Sequence, residues 1–363
     1  MEERSLGQRL HIDFPLLLGI LVLSMIGLVV IYSAGGQNID LVYRQAVKLA
    51  IAITGMLLVA QLPTTEIARW STWLYVLGII LLILVIFYGD VGKGAQRWLD
   101  LKLFRFQPSE LMKLAVPMMI AYYLSDKTLP PGFSRILVTC VMIIIPVLLI
   151  AKQPDLGTAL LVATAGFAVL FIAGMSWRLL AAMGVLGAAC APVLWHFMHD
   201  YQKRRVLTFL NPENDPLGAG YHIIQSKIAI GSGGFYGKGW LNGTQSHLEF
   251  LPERSTDFIF AVFCEEFGLV GVLLLLCVYL LIIARGLYIA VNAQHTYGRL
   301  LASGLTLTFF VYIFVNMGMV TGQLPVVGVP LPLVSHGGTS MVTLMIGFGI
   351  MMAIHTHRRF LSF

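Results

Sequence analysis

Residues 258–284 read FIFAVFCEEFGLVGVLLLLCVYLLIIA, an apolar run of 27 residues. An α-helix rises about 1.5 Å per residue, so this run is long enough to cross the roughly 30 Å hydrocarbon core of a membrane. One acidic residue, Asp257, stands immediately before the run. Because a charge at the edge of a membrane span is costly, its presence points to a use for the carboxylate.

The rest of the chain repeats this apolar pattern. Of its 363 residues, 58% are hydrophobic and 12% are charged, whereas soluble domains carry about 25% charged residues. Apolar runs between turn-forming residues predict about ten spans, at residues 14–33, 45–62, 70–89, 108–125, 134–151, 156–174, 177–197, 257–284, 299–321 and 336–356. We therefore predict an all-α polytopic membrane protein, with a single transmembrane domain over residues 1–363.

Two of the predicted connections are long: residues 90–107, and a Gly-rich loop over about 198–256, between helices 7 and 8. With ten spans both termini share one side of the membrane and both long loops share the other. Lys and Arg in the short loops favour cytoplasmic termini and an extracytoplasmic long loop. The basic residues on the loop side favour an anionic ligand, but they form no continuous basic tract, so nucleic acid is not expected as a partner.

Polar residues collect at the starts of the even-numbered spans, which all begin on the side of the long loops. The tenth span opens with SHGGTS (335–340), and the second, fourth, sixth and eighth carry Arg44 and Lys48, Glu110 and Lys113, Asp155, and Asp257. Arg44 and Lys48 are four residues apart, and Glu110 and Lys113 are three apart, so each pair lies on one helical face. These starts predict one half-buried polar cavity.

Each of these residues also has a simpler structural interpretation. Glu110 and Lys113 could form a purely structural ion pair, in which each charge only neutralises the other. Asp155 could only complement a helix N-terminus, a stabilisation of about 0.3–1 kcal/mol. Glu265 and Glu266 lie deeper in the eighth span, where a charge costs about 2.5–3.5 kcal/mol. They are either protonated or face a wet cavity. The sequence leaves these alternatives open.

Several known catalytic motifs are absent from the sequence. Residues 231–240, GSGGFYGKGW, differ from a phosphate-binding loop because Gly239 follows Lys238 where Ser or Thr is required. The sequence also contains neither HExxH nor GxSxG. ATP-driven transport, zinc-dependent proteolysis and α/β-hydrolase chemistry therefore lose support.

Four long motifs resemble the SEDS family (shape, elongation, division and sporulation), and in particular its elongation branch. They are KGAQRWLDLKLFRFQPSELMKLA (93–115), KQPDLGTAL (152–160), YGKGWLNGTQSHLEFLPERSTDFIFAVFCEEFGLVG (236–271) and GQLPVVGVPLPLVSHGGTS (322–340). The resemblance extends over almost the whole chain. His336 departs from the tyrosine that is commoner in the family at this position.

The resemblance implies a peptidoglycan glycosyltransferase that polymerises lipid II into glycan strands during cell elongation. It also implies a multi-pass protein of the bacterial cytoplasmic (inner) membrane, with cytoplasmic termini and a periplasmic active site. The implied partners are a class B penicillin-binding protein, lipid II and nascent glycan on undecaprenyl diphosphate, and other membrane proteins of the elongation complex. The family's essential aspartate falls on Asp257, and further family positions fall on Glu110, Lys113 and Asp155.

Polymerisation of lipid II needs a base for the acceptor hydroxyl and cations for the diphosphate leaving group. Asp257 is the candidate general base. The candidates to hold phosphate oxygens are Arg44, Lys48, Arg97, Arg105, Lys113 and Lys238. A divalent cation such as Mg²⁺ could share that task, although the sequence shows no self-contained metal cage and no cofactor is assigned.

Two other classes of protein compete with the enzyme. A lipid-precursor flippase or transporter would also place polar residues inside a helical bundle, often at interrupted helices, and Glu265 and Glu266 fit that function best. A scaffold for cell-wall enzymes is the second alternative, but it does not account for a polar cavity. Clustering of the polar residues at one face, beside a large loop, favours chemistry at that surface.

Overall fold

The structure is a computed structural model that describes residues 10–92, 95–100, 105–126, 128–198, 200–214, 218–247, 251 and 253–357. Each of the ten predicted spans corresponds to a helix. In chain order these are α1 Phe14–Ala34, α2 Ile39–Ala60, α3 Thr64–Tyr88, α4 Pro108–Ser125, α5 Phe133–Lys152, α6 Leu156–Ile172, α7 Trp177–Phe197, α11 Ile259–Val291, α12 Thr296–Val320 and α13 Thr339–Thr356. The predicted class, a polytopic helical membrane protein, is confirmed.

Within the described residues, seven of these helices are long and apolar enough to cross a membrane by length and composition alone. They are α1, α2, α3, α5, α11, α12 and α13. Helix α6 and the first part of α7, Trp177–Ala189, are apolar but shorter. Helix α4 carries Glu110 and Lys113 in its first turns, and most of its residues are buried.

The two long connections contain short elements. The first contains an antiparallel sheet of three strands, in the order β1 Asp90–Gly92, β2 Ala95–Asp100, β3 Arg105–Phe106. The connection between α7 and α11 contains α8 Asp200–Leu210, a 3₁₀ turn Pro212–Asn214, α9 Ala219–Gly233 and α10 Thr244–His247. That the whole chain forms one domain stays a prediction.

Local sequence explains where several helices begin. The side chain of Asp13 accepts a hydrogen bond from the Leu16 amide and so caps α1, and Asp155 caps α6 in the same way through Thr158. Such caps satisfy amide groups that have no partner inside the helix. Helix α4 instead begins with Pro108, which has no amide hydrogen to satisfy.

Helices α4 and α12 lie in the interior of the bundle, since most of their side chains are buried. Helix α12 packs against α4, α6 and α11, whereas α2 packs against α13 and exposes much of its surface. The first and last described residues lie at one end of the bundle. His11 Nδ1 lies 3.3 Å from Thr356 Oγ1, and Asp13 pairs with Arg285 at 2.7 Å.

Helix α11 is interrupted at Gly268, whose backbone angles (φ 61°, ψ −163°) are not helical. Two observations exclude any residue other than glycine at this position. The φ angle is left-handed, and a Cβ atom would lie 2.3 Å from the amide nitrogen of Gly237. The interruption therefore lets the loop after α9 approach the backbone of α11.

Candidate active site

Asp257 lies in the turn that precedes α11, and its side chain is half-buried. The carboxylate faces the connection between α12 and α13, where a Cβ atom at Gly328 would lie 3.5 Å from Asp257 Oδ2. Gly328 has a φ of 75°, in the left-handed region that favours glycine. The Asp257 carboxylate thus packs against a glycine, and a larger residue at position 328 would occupy the space beside the carboxylate.

Three consecutive carbonyl groups fix the turn that carries Asp257. The carbonyl of Ser255 accepts from the His336 amide (2.8 Å) and the carbonyl of Thr256 accepts from Ser335 Oγ (2.7 Å). The carbonyl of Asp257 itself accepts from Asn316 Nδ2 at 2.9 Å. The turn is therefore held by both α12 and the segment that leads into α13.

The second helix contacts the same segment. Gln45 donates from Nε2 to the Ser335 carbonyl and accepts from the Gly337 amide, each at 3.4 Å. One turn further along α2, Lys48 Nζ lies 3.4 Å from His336 Nε2. Burial and the neighbouring Lys48 charge lower the pKa of the His336 imidazole below its usual 6.5. The ring is therefore held in its neutral form beside the lysine.

Arg44 is exposed, one turn before Lys48 on α2. Its guanidinium and the Lys48 ammonium thus form a basic edge next to the segment that holds the turn of Asp257. For Arg105, another predicted phosphate ligand, the structure describes the backbone in β3, and its side chain lies outside what is described.

Asp155 lies at the start of α6 and has several partners. It accepts from the Thr158 amide at 3.3 Å and from Gln107 Nε2 at 3.0 Å. Arg97 Nε lies 3.9 Å from Asp155 Oδ2, and its guanidinium donates to the carbonyl of Pro154. Asp155 therefore caps α6, and Arg97 is brought to the same helix start, whereas a role of Asp155 in substrate binding stays a prediction.

The start of α6 packs closely against the connection that faces Asp257. A Cβ atom at Gly157 would lie 2.5 Å from the carbonyl oxygen of Val327, so only glycine permits this approach. Val327 immediately precedes Gly328, the residue beside the Asp257 carboxylate. The starts of α6 and α11 therefore contact the same few residues.

Glu110 and Lys113 form a buried ion pair at the start of α4. Lys113 Nζ donates to Glu110 Oε1 at 2.6 Å, and each residue is only 5% exposed. The ammonium group also lies over the ring of Tyr312, 5.0 Å from its centroid. Tyr312 and Asn316 are one turn apart on α12, so this helix connects the ion pair to the turn of Asp257.

Lys238 belongs to a second polar cluster. Its ammonium group donates to Glu265 Oε1 and to Thr244 Oγ1, each at 2.7 Å. Glu265 is fully buried in α11, and its neighbour Glu266 accepts a hydrogen bond from Ser33 Oγ. The structure thus brings Lys238 to this cluster through its ion pair, and its predicted contact with the diphosphate stays a prediction.

The sequence did not single out four residues that the structure adds to the site: Gln45, Tyr312, Asn316 and Ser335. Asn316 did carry a signal, because it is a lone amide in the apolar run FFVYIFVNMGMV (309–320) and is fully buried. A buried amide in such a run is costly without hydrogen bonds. Ser335 lies within SHGGTS (335–340) and Gln45 lies between Arg44 and Lys48, but the partners of both side chains depend on the tertiary fold.

The described residues do not fit a metal cage held by the protein. In the described part of the chain no group of three or more His, Cys, Asp or Glu side chains could hold a metal ion. One oxygen of Glu110 is bonded to Lys113, and one oxygen of Asp155 caps α6. We therefore derive no step through a metal.

The chain matches the FtsW/RodA/SpoVE family, described as a cell cycle protein, over residues 14–360. It is 55% identical over 361 residues to MrdB of Escherichia coli strain K12, which is named a peptidoglycan glycosyltransferase, covering 99% of this chain and 98% of that protein. MrdB of Helicobacter pylori strain 26695, with the same name, is 38% identical, covering 96% of this chain and 91% of that protein.

Solved structures show the same similarity. A chain from a peptidoglycan synthase complex, in which polymerisation and crosslinking are coordinated, aligns with a TM-score of 0.83 at 30% identity, covering 96% of this chain and 99% of that one. The rod shape determining protein RodA of Thermus thermophilus aligns with a TM-score of 0.72 at 29% identity, covering 94% and 96%. The family match extends over nearly the whole length, and this chain therefore belongs to the FtsW/RodA/SpoVE family, the SEDS family.

Proposed function

We propose that this chain is a peptidoglycan glycosyltransferase that polymerises lipid II into glycan strands during elongation, with Asp257 as its general base. One observation carries the assignment of the base. Asp257 is a half-buried carboxylate on a turn held by three consecutive backbone carbonyls. A base needs a fixed position within hydrogen-bond reach of the hydroxyl that it deprotonates. The names of the relatives support the reaction class.

In the proposed reaction, the hydroxyl oxygen of the acceptor sugar attacks the anomeric carbon of the donor sugar. Its proton passes to the Asp257 carboxylate, and the bond between the anomeric carbon and the diphosphate oxygen breaks. The electron pair leaves with the lipid-linked diphosphate. The linkage changes from α in the donor to β in the glycan, as the family resemblance implies.

The departing diphosphate needs positive charge close to its oxygens. Lys48 and Arg44 supply this charge from α2. The side chain of Arg97 supplies it beside the start of α6. Arg97 is suited to a planar contact with two oxygens, whereas Lys48 acts as a point charge. Arg105 stays in the proposal as a further candidate.

Glu110 and Lys113 are assigned to substrate binding as well. Glu110 Oε2 is buried and has no hydrogen-bond partner in the structure, although Oε1 is bonded to Lys113. A buried acceptor without a partner is costly. A sugar hydroxyl or a water molecule in the site would satisfy it.

The proposed orientation places both termini in the cytoplasm and the site on the periplasmic face of the inner membrane. The first and last described residues lie at the same end of the bundle, which supports one half of this arrangement. A class B penicillin-binding protein is the proposed partner. Similarity to a chain of a complex that coordinates polymerisation with crosslinking supports that pairing.

The test is polymerisation of lipid II by the purified chain with its transpeptidase partner in detergent. Asp257→Asn should abolish glycan polymer, because the amide cannot accept the proton, while folding and partner binding persist. Asp126→Asn is the matched control. It removes one carboxylate charge from the exposed end of α4 and should leave the rate unchanged. Near-normal polymer from Asp257→Asn contradicts the assignment of the base.

The interruption of α11 beside Glu265 and Glu266 is the observation that favours the second candidate, a flippase or transporter. The same assay separates the two functions, because a detergent solution has no second compartment. A transporter yields no polymer there, even as the unmodified chain. Polymer from the unmodified chain supports the enzyme.

A further inference from the structure

Asn316 is the most deeply buried polar side chain close to Asp257. It lies in α12 and is 0% exposed. Its side-chain amide donates from Nδ2 to two carbonyl oxygens, that of Asp257 at 2.9 Å and that of Val329 at 2.7 Å. One NH₂ group has two hydrogens, so both donors are used.

These two acceptors belong to segments that are far apart in sequence. The Asp257 carbonyl lies in the turn before α11, and the Val329 carbonyl follows Gly328, the residue against which the Asp257 carboxylate packs. The Asn316 amide therefore joins the backbone that carries the carboxylate to the backbone that faces it. A single side chain fixes the spacing between the two.

The amide at this position has a cost as well as a benefit. Asn316 Oδ1 is buried and has no hydrogen-bond partner in the structure. An apolar side chain of similar shape would avoid that cost, but it would leave the carbonyls of Asp257 and Val329 without this donor. The residue is better explained by what its NH₂ group holds in place.

We propose that Asn316 is a positioning residue for glycan polymerisation, which holds the turn of Asp257 and the segment of Gly328 at the spacing that the reaction needs. This inference rests on the proposed function of Asp257. Asn316 acts through backbone and does not touch the substrate. Asn316 is also one turn from Tyr312, whose ring lies beneath the ammonium group of Lys113. The same helix therefore contacts both the turn of Asp257 and the side chain of Lys113.

The test compares Asn316→Leu with the unmodified chain in steady-state polymerisation of purified lipid II. Leucine has a similar shape but no donor. We expect kcat to fall about 10²-fold, which is the effect of a displacement of about 1 Å at a reacting group. KM for lipid II should stay unchanged, because Asn316 makes no contact with the substrate. A general loss of structure would lower the amount of active protein, which active-site titration corrects.

Tyr297→Phe is the matched control on the same helix. It removes a buried hydrogen bond, that between Tyr297 and Ser71 at 2.9 Å. Tyr297 is 19 residues from Asn316, or about 28 Å along the helix axis. This variant should lose stability and keep kcat. Comparison of the two variants at matched stability separates positioning from a weakened fold.

A milder variant keeps the inference testable if Asn316→Leu fails to fold. Ser335→Ala removes the hydroxyl that donates to the Thr256 carbonyl, one residue before Asp257. It should also lower kcat and leave KM unchanged. Rescue is expected in Asn316→His, because an imidazole N–H can donate to one of the two carbonyls.

The inference is overturned if Asn316→Leu and Ser335→Ala keep the kcat of Tyr297→Phe, or if their defect lies wholly in KM. The result for Asp257→Asn distinguishes this failure from that of the proposed function. An inactive Asp257→Asn with a fully active Asn316→Leu removes the inference alone. A fully active Asp257→Asn removes both, since no base would then need to be positioned.

Discussion

Replacing Lys113 by alanine should lower the free energy of unfolding by about 3–5 kcal/mol. Lys113 and Glu110 are each 5% exposed, and their charged atoms lie 2.6 Å apart. Removal of the ammonium group leaves a buried carboxylate without a counter-charge. Glu110→Gln should cost a similar amount, because it leaves the ammonium unpaired. Thermal and denaturant unfolding of the purified protein in detergent measure both effects.

The double variant Glu110→Met with Lys113→Met removes both charges and the acceptor oxygens, and it keeps the approximate volume of each side chain. Replacement of a whole buried ion pair is often neutral in stability. We therefore expect the double variant to recover to within about 1 kcal/mol of the unmodified chain. The two single losses should then be far from additive, as expected for groups in direct contact.

Activity decides between the structural and the substrate-binding interpretations of this pair. If Glu110 Oε2 accepts a hydrogen bond from the substrate, the stable double variant should still polymerise lipid II slowly. A hydrogen bond to a charged group contributes about 1.5–3 kcal/mol, which corresponds to about a 10- to 150-fold loss of rate. Full recovery of both stability and polymerisation would refute substrate binding and leave a structural ion pair.

The ion pair between Asp13 and Arg285 is the control for this experiment. It lies at the end of the bundle that holds the first and last described residues, and the side chain of Asp13 is fully buried. Asp13→Asn with Arg285→Met removes both charges and keeps an N-cap residue for α1. This double variant should keep its polymerisation rate. A loss as large as that of the Glu110 and Lys113 variant would show that any lost buried pair impairs the assay.

Two further predictions concern the second polar cluster and the pH dependence. Lys238→Ala should destabilise the chain by about 3 kcal/mol, because it leaves the buried Glu265 unpaired. The added change Glu265→Gln should restore most of this loss in thermal unfolding, without altering the rate of polymerisation per folded molecule. A selective loss of that rate would instead place Lys238 at the diphosphate site. The pKa of His336 is lowered, so the unfolded chain binds the proton more tightly than the folded chain, and stability should fall as the pH drops through about 6.5. Unfolding followed between about pH 5 and pH 8 should show this dependence weakened in His336→Asn, and an unchanged profile would exclude His336 as its source.

The helices were predictable because apolar runs of this length have few alternatives. The start of α4 shows how far local sequence reaches: Pro108 at the first position and Glu110 in the first turn are both typical of a helix N-terminus. The approach of the even-numbered helix starts to one another was also predictable, since ten spans with short connections place those starts on one face. Contacts from α2, α6 and α12 to the region of Asp257 and Gly328 agree with this expectation.

The partners of individual charges were less predictable. Lys238 and Lys48 look alike in sequence as loop-side lysines, yet Lys238 bonds to Glu265 and Lys48 lies beside His336. The difference arises from the interruption of α11, which brings residues 233–239 against that helix. A left-handed glycine inside an apolar run leaves no periodic signal, so Gly268 was not identified from sequence.

The interruption of α11 bears directly on the choice between enzyme and transporter. In transporters, broken helices free backbone groups that bind the substrate. Here the chain fills the break itself. The carbonyls of Glu265 and Glu266 accept from the amides of Lys238 and Gly239, each at 3.0 Å. Beyond Gly268, the next two amides of α11 donate to carbonyls of the same loop.

One carboxylate oxygen at the break is used in the same way, whereas Glu265 Oε2 and Glu266 Oε2 are buried without a hydrogen-bond partner in the structure. Glu265 Oε1 accepts from Lys238, Thr244 and the Gln245 amide. Four backbone groups and one carboxylate oxygen thus join α11 to its own loop, and a substrate that bound there would have to displace them. Asp257 lies outside this break, in the turn before α11 and eight residues before Glu265. The backbone groups at Gly268 hold the loop, which supports the proposed placement of the substrate at Asp257 over a transport site at the break.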